Sequence, residues 1–273
     1  MTKPDWNKKQ HPEQKSPEHG KKDHGHGPGE HGYGALRDLD LEHGPKQKPD
    51  DLTIQEPDEG TGTPTDIGGP MAGTSFPSSF YVADPPPVQN QGTTPHCVAY
   101  SNAYDQNQHD RRDNVTNTFK NFDEAKFFAQ IGGTSAGAYM NKGLARRRDY
   151  GYPEAVNVSG QDSNPDSGRH RIASYTAIAL TVTAIKEALM RGHGVLVIGD
   201  WFHSWNHPLA SGKLPAPDYR VAGHARWWRG WNDAYGFRER ESFGTGWGPI
   251  GGDCFVPYAY LNRLYAAYRT TDK

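Results

Sequence analysis

Cysteine is almost missing from this chain, which has only Cys97 and Cys254 among 273 residues. Two thiols cannot build the disulfide framework of a small secreted scaffold, and a reducing interior is the default setting for such a chain. Charge of one sign is missing too. Thirty basic and 32 acidic residues leave a formal net charge of −2, so no single-signed field argues for nucleic acid or for an anionic membrane surface. Long hydrophobic runs are also absent. The longest, Gly194 to Gly199, is strand-sized, far below the ~20 apolar residues of a membrane-spanning helix. The N-terminus lacks the apolar core of a secretory signal peptide. The expected setting is therefore the cytoplasm or the inside of a viral or bacterial assembly.

Apolar periodicity is missing from residues 1–69, where Lys, Glu, Asp, His, Gly and Pro dominate, as in Lys21-Lys22-Asp23-His24-Gly25-His26-Gly27-Pro28. So little apolar surface cannot offset the entropy of ordering, and this segment is predicted to be a disordered tail. Its histidines suit weak binding of a transition-metal ion, although a flexible polar linker is the plainer reading. Leu36 and Asp40-Leu41-Glu42 are a candidate docking motif for an assembly partner. Residues 70–273 hold most of the aromatics and nearly all apolar runs, enough for one domain or one domain in two lobes. Helices are expected over Cys97–His109, Phe122–Gln130 and Ala136–Arg148, where Arg146-Arg147-Arg148 reads as a solvated face. A fourth helix, capped by Thr183, runs to Met190. Val195–Ile198 follows as a buried strand, and short strands around 224–230, 237–243 and 253–257 close the chain. Helices first and strands last predict an α+β protein.

The chemistry concentrates in Gln89-Asn90-Gln91-Gly92-Thr93-Thr94-Pro95-His96-Cys97. A cysteine in the first turn of a helix feels the positive end of the helix dipole, which favours thiolate. Gln91, six residues earlier in a loop over that helix start, can aim its amide at the same space. With the Cys97 N–H it would supply two donors for an oxyanion. Taken alone, Cys97 reads first as a small buried hydrophobe, as most lone cysteines do. His96 is a poor candidate for the base, since an adjacent residue on a turn rarely faces the same way.

Two further segments change the balance: Gly223-His224-Ala225, and Glu241-Ser242-Phe243-Gly244-Thr245-Gly246-Trp247-Gly248. Together with Gln91-Gly92 and Cys97, and in this order, they resemble the papain/cathepsin family of cysteine peptidases. His224 lies 127 residues after Cys97 (224 − 97) and Glu241 lies 144 after it (241 − 97), at or near the spacing of ~130–150 residues known for papain-type enzymes. The resemblance extends to Gly132-Gly133 before a helix, to residues 183–198 and to Gly251–Tyr258. It implies a two-lobed papain-like fold with a helical lobe carrying Cys97 and a barrel-like lobe carrying His224. It further implies a catalytic set of Cys97, His224, Gln91 and Glu241, with substrate backbone at Gly132, Gly133, Ala222 and Gly223. The substrate would be a peptide or protein, and neither metal nor organic cofactor is implied.

The chain departs from that pattern in places. The family carries asparagine where Glu241 stands, and Glu241 either orients His224 or points to solvent, leaving a Cys97–His224 dyad. Phe243 replaces a tryptophan, Val98 replaces another, and the cysteine shortly before the nucleophile is gone, so the usual disulfide is missing. Cys254 is expected in the core. The tail shows no periodicity of a helical, inhibitory propeptide. Residues 201–219, rich in Trp, His and Pro, are candidates to cap or reshape the cleft. The alternative to a peptidase is a papain-fold structural or binding protein, anchored in a larger assembly through its tail.

Overall fold

A computed structural model describes residues 35–36, 75–112, 119–155 and 170–272. The rest of the segment read as a tail, with its histidines and residues 40–42 of its candidate docking motif, lies outside the described residues.

Two described residues of the tail segment, Ala35–Leu36, form strand β1. Then follow β2 (Ser79–Tyr81), α1 (Cys97–Arg112), α2 (Glu124–Gln130), β3 (Ala138–Tyr139), α3 (Met140–Asp149) and β4 (Ile172–Ala177). The chain closes through α4 (Val182–Met190), β5 (Val195–Phe202), β6 (Arg220–Asn232), β7 (Gly236–Arg240), β8 (Asp253–Val256) and β9 (Leu264–Asp272). β1 pairs in parallel with β3, while β4-β9-β5-β6-β7-β8 form an antiparallel sheet that β2 joins along β6. The arrangement is α+β, helices gathered early and the sheet late. Among the described residues no helix is long and apolar enough to cross a membrane.

The side-chain alternation of β5 and β6 separates two cores. Leu196, Ile198, Ala225 and Trp227 face the helices α1–α3, in one core with Tyr104, Phe127 and Leu144. Val195, Val197, Trp201 and Trp228 face the other way, packed with α4, β7 and β8. An irregularity in the β6–β7 register between Trp228 and Gly230 lets Trp231 join the same core as Trp228. The 201–219 segment belongs to this second core through Trp205 and Leu214. It is pinned by Leu214 N–H donating to the Phe255 carbonyl at 2.9 Å.

Several elements differ from the sequence reading. α4 starts two residues earlier than expected, and its cap is Thr181, whose hydroxyl accepts from the Ala184 N–H at 3.2 Å; Thr183 is inside the helix. α2 is capped by Asp123, which accepts from Lys126 N–H at 2.8 Å. α3 starts later than expected, at Met140, and Arg147 of its presumed solvated face is wholly buried. β4 and β9, which pair with each other at the sheet end, carried no sequence signal strong enough to be proposed.

α1 is buried nearly all round although more than half of it is polar, because helices cover one side and β6 the other. Its polar groups are therefore matched internally. Arg147 donates to Asp105 at 2.8 Å, Gln106 at 3.0 Å and Asn102 at 3.2 Å. Breaking a buried ion pair from one side strands a charge. Arg147→Ala is expected to lower unfolding free energy by about 3–5 kcal/mol in urea denaturation. The apolar double change Asp105→Leu/Arg147→Met should recover most of that loss.

His170 joins three segments, with Nδ1 2.5 Å from Asp110 and Nε2 2.5 Å from Glu154. Burial works against its positive charge, but the two carboxylates outweigh it and hold the imidazole above its ordinary value. A group whose folded-state value is raised stabilises the fold fully below its unfolded value, ~6.5 for histidine. That contribution is lost as pH rises through the folded value. Stability in the wild type should thus decline on the alkaline side of about pH 6.5, and His170→Gln should flatten that decline in thermal melts across pH.

Candidate active site

Cys97 opens α1, where the first N–H groups of a helix lack intrahelical partners. The loop before it is held against residues 242–244 as a short antiparallel ladder. Gln91 N–H donates to the Ser242 carbonyl at 2.8 Å and Gly244 N–H to the Gln89 carbonyl at 2.9 Å, around the bridge of Asn90 with Phe243. The Gln91 carboxamide is oriented at both ends. Its Nε2 donates to the Thr94 carbonyl at 2.8 Å, and its Oε1 accepts from the Ser242 hydroxyl.

His224 sits on β6 opposite Gly199 of β5. Its ring lies between Trp201, edge-on at 4.9 Å, and Phe243, stacked at 5.2 Å. His224 Nε2 is 2.7 Å from Glu241 Oε2. Glu241 thus faces the imidazole and not solvent. Burial pushes its carboxyl up to about 7, against the opposing influence of Glu239 and Arg226. Tyr104 on α1 donates its hydroxyl to the Glu241 carbonyl at 3.1 Å and accepts from Gln89 N–H at 2.8 Å. One phenol therefore ties the Cys97 helix to both strands of the ladder. Cys97, Gln91, His224 and Glu241 are 0%, 3%, 0% and 1% exposed.

The four residues assigned to substrate backbone separate into two pairs. Ala222 and Gly223 immediately precede His224 on β6, across from Trp201 and Asp200. Gly132 and Gly133 instead end α2, donating to the Ala129 and Phe128 carbonyls at 3.1 and 2.9 Å. A Cβ on Gly133 would meet the Phe128 ring at 2.4 Å, so packing accounts for that glycine. The extended backbone in this region is Ala138–Tyr139, already paired with Ala35–Leu36. His96, beside Cys97, packs its ring on Phe128 at 4.2 Å, and burial lowers its pKa. Cys254 is buried in β8, its thiol pushed up by burial and by Glu239.

Sequence reasoning missed the groups that orient others. Ser242 lay inside the quoted motif, yet its role on Gln91 needs the ladder to be seen. Tyr104 carries no signal in sequence beyond its place in the first helix. Trp201 opens the segment expected to reshape the cleft, yet its place against His224 needs the sheet register to be seen.

In sequence, no family model and no curated protein matches the chain. In structure, it has the papain-like cysteine protease fold. Xylellain, a cysteine protease from Xylella fastidiosa, superposes with a TM-score of 0.61 at 18% identity, over 73% of this chain and 87% of that one. A digestive procathepsin L2 proteinase from Tenebrio molitor larval midgut gives 0.61 at 18% identity, over 73% and 70%. The bromelain protease from Ananas comosus, in complex with the E64 inhibitor, gives 0.59 at 13%, over 72% and 100%.

Proposed function

We propose that this papain-fold chain is a cysteine peptidase that hydrolyses peptide bonds through Cys97 and His224. The observation that carries the reading is the buried 2.7 Å contact of His224 Nε2 with Glu241, on a strand segment bonded to the loop before Cys97. With Nε2 held there, His224 takes the Cys97 proton at Nδ1, and Glu241 favours the resulting imidazolium. The thiolate adds to the peptide carbonyl. Gln91 Nε2 and the Cys97 N–H receive the oxyanion. His224 returns the proton to the leaving amine, and water then hydrolyses the thioester. The fixed carboxamide of Gln91 and the apolar walls of Trp201 and Phe243 supply the preorganised, water-poor surroundings in which such donors act most strongly.

A second reading, a papain-fold binding protein without turnover, is favoured by the complete burial of Cys97 and His224. β1 also already lies along Ala138–Tyr139. The two readings differ in what the thiol does. In the peptidase, Cys97 is alkylated by iodoacetamide at about pH 5, where an ordinary thiol of pKa ~8.5 is inert, and Cys254 is not. Peptide hydrolysis by the full chain should fall at least about a thousandfold in Cys97→Ala and in His224→Ala, both still folded. Turnover that survives either substitution overturns the assignment; absence of both labelling and turnover in the wild type leaves the binding protein.

Ionised Glu241 holds the imidazolium more strongly than its neutral form does, so activity should rise as pH passes its value of about 7. Glu241→Gln keeps an acceptor and removes the titration. The variant is expected to stay active and to lose that limb from its pH–rate profile. An unchanged profile would mean that a Cys97–His224 dyad works without this residue.

A further inference from the structure

At the ends of β5 and β6, beside the register position of His224, lies a polar cluster that the hydrolytic steps do not use. Asp200 of β5 stands directly across from Gly223 of β6, the residue before His224. Directly paired residues share a face of the sheet. Ile198 and Leu196, earlier in the same alternation along β5, turn that face to the helices α1–α3. Asp200 therefore continues the helix-facing row to the strand end. Tyr265 of β9 packs against the same core, and Arg220, the first residue of β6, completes the cluster.

Arg220 is held along one edge only. Its Nε donates to Asp200 Oδ1 at 2.5 Å and reaches the Tyr265 hydroxyl oxygen at 3.3 Å, while Nη2 donates to that oxygen at 3.1 Å. The Tyr265 hydroxyl in turn donates to Asp200 Oδ1. Nε and Nη2 form one edge of the planar fork, and Nη1 with the outer N–H of Nη2 forms the other. Nη1 donates to no described group. The Arg220 side chain is 47% exposed against 15% for Asp200, so a sheltered carboxylate fixes an accessible guanidinium. Partial burial works against the charge of Arg220, but Tyr265 and Asp200 outweigh it and hold the guanidinium above its ordinary value. Much of the rotamer freedom of this arginine is thus lost before any ligand arrives. Its open edge matches the two oxygens of a carboxylate.

We propose that Arg220 is a specificity-determining residue whose open edge receives the side-chain carboxylate of a Glu or Asp in the peptide substrate, close to the cleaved bond. The inference rests on the peptidase reading for where the peptide lies, across Ala222 and Gly223 beside His224. Gly223 has no side chain to stand between that peptide and the Asp200–Arg220 pair. Extended backbone has room there, since Ala35–Leu36 pairs with Ala138–Tyr139 and also comes alongside β6. Displacing that strand is a cost common to every peptide, so it cancels when two peptides are compared. A glutamine in the peptide offers the fork one oxygen and no charge, and a lysine meets like charge. The cluster therefore ranks the three side chains.

The test is binding of labelled peptides to the full chain carrying Cys97→Ala, read by fluorescence anisotropy, so that no turnover is needed. Glu, Gln or Lys is placed in turn at each position of a set of short neutral peptides. At one position Glu should bind about fivefold or more tighter than Gln, with Lys weakest. That advantage should shrink as salt rises from about 0.05 to 0.5 M, because the contact is partly exposed. Arg220→Gln should bring the Glu-to-Gln ratio to about one. Arg220→Lys, a point charge without the fork, should keep only part of the preference. Equal binding of Glu and Gln at every position overturns the proposal, as does a Glu preference that survives Arg220→Gln. Absence of binding by all of these peptides overturns it too. Turnover by the chain with Cys97 intact reports separately on the peptidase reading. A peptide bound with the Arg220-dependent preference but never hydrolysed sinks that reading and leaves the site standing. With both correct, the kcat/KM ratio of Glu to Gln peptides follows the Kd ratio. Arg220→Gln then removes the difference and leaves hydrolysis of the Gln peptide unchanged.

Discussion

The candidate site depends on one short antiparallel ladder between residues 89–91 and 242–244. These segments are remote in sequence, one preceding the first long helix and the other following β7. Two backbone hydrogen bonds, which make the Asn90–Phe243 bridge, and the Ser242–Gln91 side-chain bond hold them together. The ladder fixes two things at once: where α1 begins, and thus where Cys97 stands, and where the chain leaves β7, and thus where Glu241 points. Tyr104 reinforces it from inside the helix. Such non-local pairing is entropically expensive to close, and the two cores on either face of β5 and β6 supply the burial that holds it.

An amide at the third position would need only a hydrogen-bond partner. A carboxylate in the same dry place needs partners and also a counter-charge. That requirement accounts for Arg226 in the interior of a strand, whose charge acts on both Glu239 and Glu241. Asp105 with Arg147, and Asp253 with its three arginines, follow the same rule elsewhere. The protein repeatedly solves burial of charge by matching it, which explains how a chain with modest apolar content closes two cores.

Much of the fold was legible because ordered short motifs report on fixed geometry. Gln91, Cys97, His224 and Glu241 stood out in sequence, and the structure brings His224 to Glu241 and Gln91 to the Ser242 segment. What stayed hidden has physical reasons. α1 is polar on buried faces, so no apolar period marked its full length to Arg112. Arg226, Glu239 and Arg240 look like the wet side of an amphipathic strand, because alternation alone cannot tell a matched interior charge from a solvated one. Gly132-Gly133 matched a pattern of residues, yet tight packing on Phe128 explains Gly133, and the extended edge falls at Ala138–Tyr139. Strands β4 and β9 are half-exposed and rich in Thr, Ala and Tyr, a composition that resembles a loop as much as a sheet end.

Both thiols are unpaired and buried, and nothing in the described structure is held by a sulfur–sulfur bond. Reductants therefore find no cross-link to break in this protein. Conditions that protect a sulfur nucleophile from oxidation take no cross-link away from the scaffold. Tolerance of a strongly reducing medium and upkeep of the thiol are here the same condition, with no compromise between them.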